Sequence, residues 1–415
     1  MSFDWQDSFS FSARQMAPAP TFLALASRPD IISFAGGVPD PAVFPTEQLQ
    51  GAYAAILADP AKRAQALQYA PSVGLPALRE RIVQLMRARN IETTADNIIV
   101  TSGAQQALDL VGKLLINPGD RVAVTAPTFF AALDTFSAYR PTYESIPFRP
   151  GGIDRARAEQ AIRAKPRFLY LISDFQNPTG LSLSLEDRLF LLVLCEENGV
   201  PIVEDAAYDA LRYSGNPVLS LLTLAQMRGI GSQVLYVNTF SKTISPGLRV
   251  GWISADIEAI RKLSALKLST DVHTSVLNQM AVLQVTESDF DSHIEQICQT
   301  YSVRCAAMLD ALKTHMPEGT SWTKPEGGLF IWVDAGAGVN MTAALPGAIE
   351  KFGVAYVPGQ MSFAAGDAPQ TCRLSFATAN TERIGKGIRA LSQLISGLRE
   401  GANMNTDQYK TGSAG

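Results

Sequence analysis

Cysteine and histidine are scarce in this chain of 415 residues, with four of the first and three of the second. Cys195, Cys298, Cys305 and Cys372 show no C-x-x-C spacing, so they read as free, mostly buried thiols in a reducing cytoplasm. His273, His293 and His315 stand far apart and carry no metal-ligand pattern. No apolar run approaches the ~18 residues of a membrane-crossing helix. The opening Met1-Ser-Phe-Asp-Trp-Gln-Asp7 is acidic and aromatic and lacks the apolar core of a signal peptide. Lysine and arginine are scattered and the net charge is −4, so there is no basic face for nucleic acid. No strand-like run is followed by G-x-G-x-x-G, which disfavours a nicotinamide-binding Rossmann unit.

What is abundant is apolar surface. Hydrophobic residues make up 47% of the chain and charged residues 18%, the balance of a large buried core. This length divides into two or more domains. Short apolar runs alternate with helical patterns: Ile98–Val100, Val122–Val124, Phe168–Ile172, Pro201–Val203, Val234–Val237 and Val250–Ile253, with helices such as Gln105–Leu115 and Leu185–Glu197 between. Continuous apolar strands alternating with helices predict a mostly parallel α/β sheet covered on both faces. The expected division is an arm or lid over 1–45, a large domain over 46–285 and a smaller α/β domain over 286–400. In the last, 286–315 reads as a long helix. Gly328–Val333, Gly353–Val357 and Cys372–Phe376 read as short strands, and about 381–398 as a closing helix. The polar tail 401–415 reads as disordered.

Ligands in parallel α/β sheets sit at the carboxyl ends of the strands, so the residues after each strand are candidates. After Val234–Val237 comes Asn238-Thr-Phe-Ser-Lys-Thr-Ile-Ser-Pro-Gly-Leu-Arg249. A lysine just past a buried strand, beside an arginine, has its ammonium pKa pushed down and its amine freed for Schiff-base chemistry. Thr239, Ser241 and Arg249 can hold a phosphate beside Lys242, which suggests pyridoxal phosphate. The bland alternative is a solvated turn that happens to hold Lys and Arg. Thr101-Ser-Gly-Ala-Gln-Gln106 opens a helix and suits an anion, or else Ser102 is an ordinary N-cap. Phe129 either lies against a ring or packs in the core. Ser173–Gly180 contains Asn-Pro-Thr-Gly, which is also plain turn chemistry. Glu204 and Asp205 end a buried strand, where unpaired carboxylates are costly. A pyridinium nitrogen facing Asp205 gives one of them a purpose.

These motifs, in this order, resemble the fold-type I pyridoxal-phosphate-dependent aminotransferases of class I/II, over about residues 30–395. The nearest subgroup is that of aminoadipate and kynurenine aminotransferases and MocR-type catalytic domains. The carrying motifs are Ile32–Pro41, Leu67-Gln-Tyr-Ala-Pro71, Ser102–Gln106, Asn177–Gly180, Asp205–Tyr208, Ser241-Lys242 with Arg249, Pro325–Gly328 and Arg373–Phe376. The resemblance implies a mostly parallel seven-stranded sheet in the large domain and a smaller C-terminal α/β domain. It implies Lys242 as Schiff-base lysine and proton shuttle, Asp205 as pyridinium partner, and Tyr208 and Asn177 as donors to the ring oxygen. Gly103, Ala104, Gln105, Thr239, Ser241 and Arg249 match the phosphate cradle. Tyr69 matches a tyrosine that crosses a homodimer interface to a phosphate, so that active sites are shared. Arg373 matches the fork onto the substrate α-carboxylate, with Gly37 and Asn177 as further donors.

Three positions depart from the family pattern. Ala104 stands where relatives often have serine, and Phe129 where they have a stacking tyrosine. Pro20, within Ala17–Pro20, falls where an arginine contacts the substrate side chain, so an anionic dicarboxylate such as aminoadipate loses a partner. The expected reaction is transfer of an amino group from an L-amino acid to a 2-oxo acid. The alternative is another reaction of the same cofactor: elimination, replacement, carbon–carbon bond formation, decarboxylation or oxidation. A MocR-type regulator needs an N-terminal DNA-binding domain, and the first motif begins near Ile32 with no room for one.

Overall fold

The computed structural model describes residues 5, 8–15, 28 and 30–411, with the side chains of 15 and of 401–411 excepted. The first strand, β1 (Ile32–Ser33), belongs to the C-terminal part of the chain. The next eight form one sheet: β2 (Ile98–Thr101), β3 (Arg121–Ala126), β4 (Thr142–Arg149), β5 (Gly152–Ile153), β6 (Leu169–Leu171), β7 (Ile202–Asp205), β8 (Val234–Thr239) and β9 (Gly251–Ser254). Their spatial order is β2-β9-β8-β7-β6-β3-β4-β5. From β8 through β4 every pair is parallel, while β9 runs antiparallel to both neighbours and β5 folds back on β4. The sheet thus has eight strands where seven are expected. The eighth is the two-residue return β5, too short to leave an apolar run in the sequence.

The parallel strands read as continuous apolar runs because both faces are covered. Successive residues point to opposite sides. Ile99, Val124, Val203, Val237 and Ile253 enter one apolar cluster, and Ile98, Ala123, Ile202, Tyr236 and Trp252 the other. Each such fully buried aliphatic side chain contributes roughly 1.5–3 kcal/mol relative to exposure. Between strands the helices start on local signals. Ser184 Oγ accepts from Asp187 N at 3.1 Å to begin Leu185–Asn198, and Ser220 Oγ accepts from Thr223 N at 3.0 Å to begin Leu221–Met227.

The C-terminal layer is a four-stranded antiparallel sheet, ordered β10 (Ser321–Trp322), β11 (Phe330–Asp334), β14 (Thr371–Ser375), β13 (Val357–Pro358). The stretch Gly353–Val357, expected as one strand, divides in two. β12 (Val354–Ala355) pairs in parallel with β1, and β13 pairs with β14. Between them Tyr356 is buried and donates its hydroxyl to Met341 O at 2.7 Å, which turns the chain from one sheet to the other. The long helix runs Phe290–His315 and is separate from the helix Val276–Glu287. The closing helix runs Thr381–Thr411, where about 381–398 is expected and a disordered tail from 401. Its extension contains no proline and only one glycine, so nothing in the sequence breaks it. Residues 412–415 lie outside the described residues, as does Pro20. Among the described residues no helix is long and apolar enough to cross a membrane, and no group of three or more His, Cys, Asp or Glu is placed to hold a metal.

Candidate functional site

The carboxyl ends of β2, β7 and β8, the loop after β6 and the start of the segment before β9 converge on one region, and β11 and β14 close it from the other side. Lys242, just past the end of β8, is partly buried and donates from Nζ to Gly37 O at 3.0 Å. Its ammonium also lies 5.7 Å from the centre of the Tyr208 ring. Burial, with the positive charges of Arg373 and Arg249, pushes this ammonium down to about 8. At pH 7 roughly a tenth of it is then neutral amine, far more than for an ordinary lysine.

Asp205, the last residue of β7, is 2% exposed. Its Oδ2 accepts from the Tyr170 hydroxyl at 2.9 Å and its Oδ1 from Ala207 N at 3.2 Å. Burial nevertheless pushes its carboxyl up to about 6. Two donors do not repay the loss of water, and a cation in front of the carboxylate would lower its energy. The neighbouring Glu204 is accounted for differently. It points to the other face of β7 and accepts from Ser173 Oγ at 2.6 Å, Leu221 N at 2.9 Å and Leu222 N at 3.0 Å. It satisfies the first two N–H groups of the Leu221–Met227 helix, whose cap is Ser220, so the two adjacent acids separate into one structural residue and one candidate site residue.

Arg373, on β14, is 3% exposed, and burial pushes its guanidinium down to about 10. It donates from Nη1 to Asn177 Oδ1 at 2.9 Å and from Nη2 to Ala35 O at 2.8 Å. Its Nε is buried without a partner among the described residues. The guanidinium carbon sits 4.3 Å from the centre of the Phe330 ring and 5.9 Å from that of Phe130. A Cβ placed on Gly37 would stand 3.6 Å from Arg373 Nη2, so the glycine leaves that fork open. Asn177 Nδ2 in turn reaches the Tyr208 hydroxyl at 3.5 Å. Tyr208 stands edge-on to Phe330 with ring centres 5.6 Å apart.

At the other end of the site, Gly103 precedes the helix Ala104–Leu115 with φ +81°. A side chain there would be strained and its Cβ would lie 2.8 Å from Arg249 Cζ. Arg249 donates from Nη2 to Ser102 O at 3.0 Å. Thr239 Oγ1 and Ser241 Oγ are 2.8 Å apart. The first-turn N–H groups of this helix have no intrahelical acceptor. The N–H of Gly103, expected in the cradle, is spent on Thr101 O at 2.8 Å because the tight turn folds it back, and the remaining ones, with Arg249 and two hydroxyls, suit a dianionic phosphate. Ser102 is not the helix cap: Gly103 occupies that position, and the Ser102 hydroxyl donates to Asp271 Oδ2 at 2.9 Å instead. Gln105 turns its side-chain amide away, to Thr135 Oγ1, leaving only its backbone N–H for the cradle.

Phe129 meets Phe130 edge-on at 5.7 Å and is partly exposed at the start of helix Phe130–Ser137. Tyr69 is 79% exposed and stands 5.8 Å from the His273 ring, so this chain does not bring it into its own site. Tyr170, Phe330 and Phe130 are contributors that the sequence does not single out. They touch Asp205, Arg373 and Tyr208 only through tertiary packing and carry no local signal.

A phosphate cradle, a buried carboxylate calling for a cation, an amine of lowered pKa and a buried arginine fork together fit pyridoxal phosphate with an amino acid. Comparison with known proteins agrees. Residues 61–391 match the family Aminotransferase class I and II. The chain is 39% identical over 404 residues to aromatic-amino-acid aminotransferase 1 of Thermococcus litoralis, covering 95% of each. It is 38% identical to 2-aminoadipate transaminase of Thermus thermophilus, covering 95% of this chain and 98% of that one. The crystal structure of alpha-aminoadipate aminotransferase from Thermus thermophilus, complexed with N-(5'-phosphopyridoxyl)-L-leucine, superposes with a TM-score of 0.89 at 36% identity, covering 96% of this chain and 100% of that one. The chain belongs to the class I and II aminotransferases, enzymes that transfer amino groups with pyridoxal phosphate as cofactor.

Proposed function

We propose that the site moves the amino group of a neutral or aromatic L-amino acid to a 2-oxo acid, with the residues above in the following roles. The observation that carries the reading is the convergence of Lys242, Asp205 and Arg373, from β8, β7 and β14, on one small volume. When bound, pyridoxal phosphate supplies an electron sink beside the amino acid's α-carbon. Asp205 holds the ring nitrogen and keeps its proton in place. Tyr208 and Asn177 donate to the ring oxygen, and Phe129 packs against the ring. Ala104 and Gln105 present backbone N–H groups to the phosphate, Gly103 supplies the turn that brings them there, and Thr239, Ser241 and Arg249 lie alongside. Lys242 is the covalent anchor and, once released, its neutral amine carries the proton at the α-carbon. Arg373 forks onto the α-carboxylate, with Gly37 and Asn177 as further donors.

The two curated relatives are named for different side chains, one aromatic and one anionic, so names alone leave the pocket open. The partly exposed ring of Phe130, 5.9 Å from the Arg373 guanidinium carbon, favours neutral side chains. Pro20, in the place of a cation, makes a second buried carboxylate expensive. If kcat/KM for aminoadipate exceeds that for leucine, methionine and phenylalanine by more than about tenfold, another cation serves it and this assignment is wrong.

The domain division at 46–285 and 286–400, a cytoplasmic setting for the free cysteines, and a homodimer with shared sites belong to the same proposal. Leu67 and Tyr69, 70% and 79% exposed, are the apolar groups that a second copy would cover. Light scattering showing an active species of 44.7 kDa, the mass of one chain, would exclude the dimer. The anchor is tested directly by borohydride reduction and peptide mass analysis. The cofactor is expected on Lys242, and its recovery on any other lysine overturns the assignment.

A further inference from the structure

Away from the reacting groups lies a buried charge with no part in the chemistry. Lys267, at the end of helix Ile257–Leu268, is 0% exposed. Its Nζ donates to Asp271 Oδ1 at 2.8 Å, Asp271 Oδ2 at 2.9 Å and Gln106 Oε1 at 2.7 Å. Asp271 Oδ2 also accepts from Ser102 Oγ at 2.9 Å and Gln106 Nε2 at 2.6 Å. Gln106 Oε1 accepts from Ser102 N at 2.7 Å, and Ser102 O accepts from Arg249 Nη2 at 3.0 Å. Ser102 is thus gripped at its amide, its hydroxyl and its carbonyl, immediately before Gly103. A residue held at three points fixes the plane of the peptide that follows it.

We propose that Lys267 and Asp271 are positioning residues for the phosphate cradle, orienting the Ser102–Gly103 peptide so that its N–H is turned back to Thr101 O at 2.8 Å and its carbonyl to Arg249, which leaves the N–H groups of Ala104 and Gln105 to face the phosphate. This rests on the reading that those residues hold the phosphate. A buried ammonium is costly to keep apart from water, even beside the partly exposed Asp271, and simple helix packing would be served as well by an apolar residue. The pair instead directs its hydrogen bonds to the two residues that shape the loop.

The test is cofactor affinity. Asp271→Asn alone would leave Lys267 buried without its anion and threaten the fold. The variant to measure is Lys267→Met combined with Asp271→Asn, its fold checked by circular dichroism and thermal melting. Purified holoenzyme is stripped of cofactor and titrated with pyridoxal phosphate and with pyridoxal, which lacks the phosphate. The expected result is a rise in Kd for pyridoxal phosphate of about tenfold or more, a change for pyridoxal of less than about twofold, and turnover at saturating cofactor within about twofold of the unaltered enzyme. Equal weakening toward both ligands would mark general loosening and overturn the proposal, as would no weakening toward either. Should the unaltered enzyme bind pyridoxal as tightly as pyridoxal phosphate, the cradle itself is misassigned, and the fault lies in the underlying reading rather than in the Lys267–Asp271 link.

Discussion

Arg373 donates from Nη1 to Oδ1 of Asn177 across 2.9 Å, tying the C-terminal sheet to the loop after β6. The same asparagine reaches Tyr208, so the Arg373 guanidinium and the Tyr208 hydroxyl share one amide. An arginine so held is pre-oriented: two of its N–H groups are fixed by protein acceptors, and its guanidinium carbon lies 4.3 Å from the centre of the Phe330 ring. A lysine at this position keeps the charge and loses the planar fork.

Arg373→Lys is therefore expected to weaken every amino-acid substrate to a similar degree, by about tenfold or more in kcat/KM, because all of them share the α-carboxylate. A substrate series of leucine, methionine, phenylalanine and glutamate measures this. Losses confined to one side-chain type would make Arg373 a side-chain contact instead.

The depressed ammonium of Lys242 sets a pH dependence for cofactor capture. Only the neutral amine attacks an aldehyde. With the folded value at about 8, the amine is protonated below it and free above it, so the reconstitution rate of cofactor-free enzyme rises with pH and levels off past about 8. Stopped-flow absorbance between pH 6 and 10, windows of roughly two units either side of that value, records the curve. A rate still climbing at the upper end would mean an ordinary surface-like lysine.

Much of this site is legible in the sequence because it sits where strands end. Lys242, Asp205, Asn177 and Gly103 each follow a run made continuous by burial on both faces, and each carries turn or cap chemistry of its own. What escapes is what depends on packing between distant elements. β4 is half polar and holds Pro147, which lies beyond the two residues that its short partner β5 pairs, and so lacks the apolar signal of its neighbours. Ser102 has the residue type and place of an N-cap, yet Asp271 captures its hydroxyl from the far side of the chain. Tyr170 looks like any core aromatic until its hydroxyl is seen to point at Asp205. The split of Gly353–Val357 between two sheets likewise follows from pairing with Ile32–Ser33, a contact that no local pattern announces.

Asp205 gives a prediction about stability. Its folded carboxyl is raised from 3.8 to about 6 by burial. A carboxyl with a raised folded pKa binds more protons folded than unfolded between these values, so its ionisation subtracts stability as pH rises through that window and the loss is complete above it. In cofactor-free enzyme, Asp205→Asn is expected to raise stability above pH 6 by up to about 2–3 kcal/mol, from 1.36 kcal/mol per pKa unit, and to give no gain below about pH 4. On the role proposed for Asp205, the same variant is expected to lose most of its turnover. Denaturant melts of the two apo-proteins at pH 4 and pH 8 decide it. Equal stability at both would show that Tyr170 and Ala207 already satisfy the carboxylate.

Gly103→Ala probes the cradle at its tightest point. At φ +81° an alanine is strained, and its Cβ would stand 2.8 Å from Arg249 Cζ, so either the loop or the guanidinium must move. The backbone penalty alone is about 1–2 kcal/mol, and displacement of Arg249 removes a charged contact to the phosphate besides. Pyridoxal phosphate affinity should fall by at least about tenfold. Because Arg373 and Asn177 lie at the opposite end of the site, KM for the amino acid, measured at saturating cofactor, should stay within about twofold of the unaltered enzyme. A variant that binds cofactor normally but loses amino-acid affinity would place Gly103 against the substrate, not the phosphate, and would invert the orientation of the whole site.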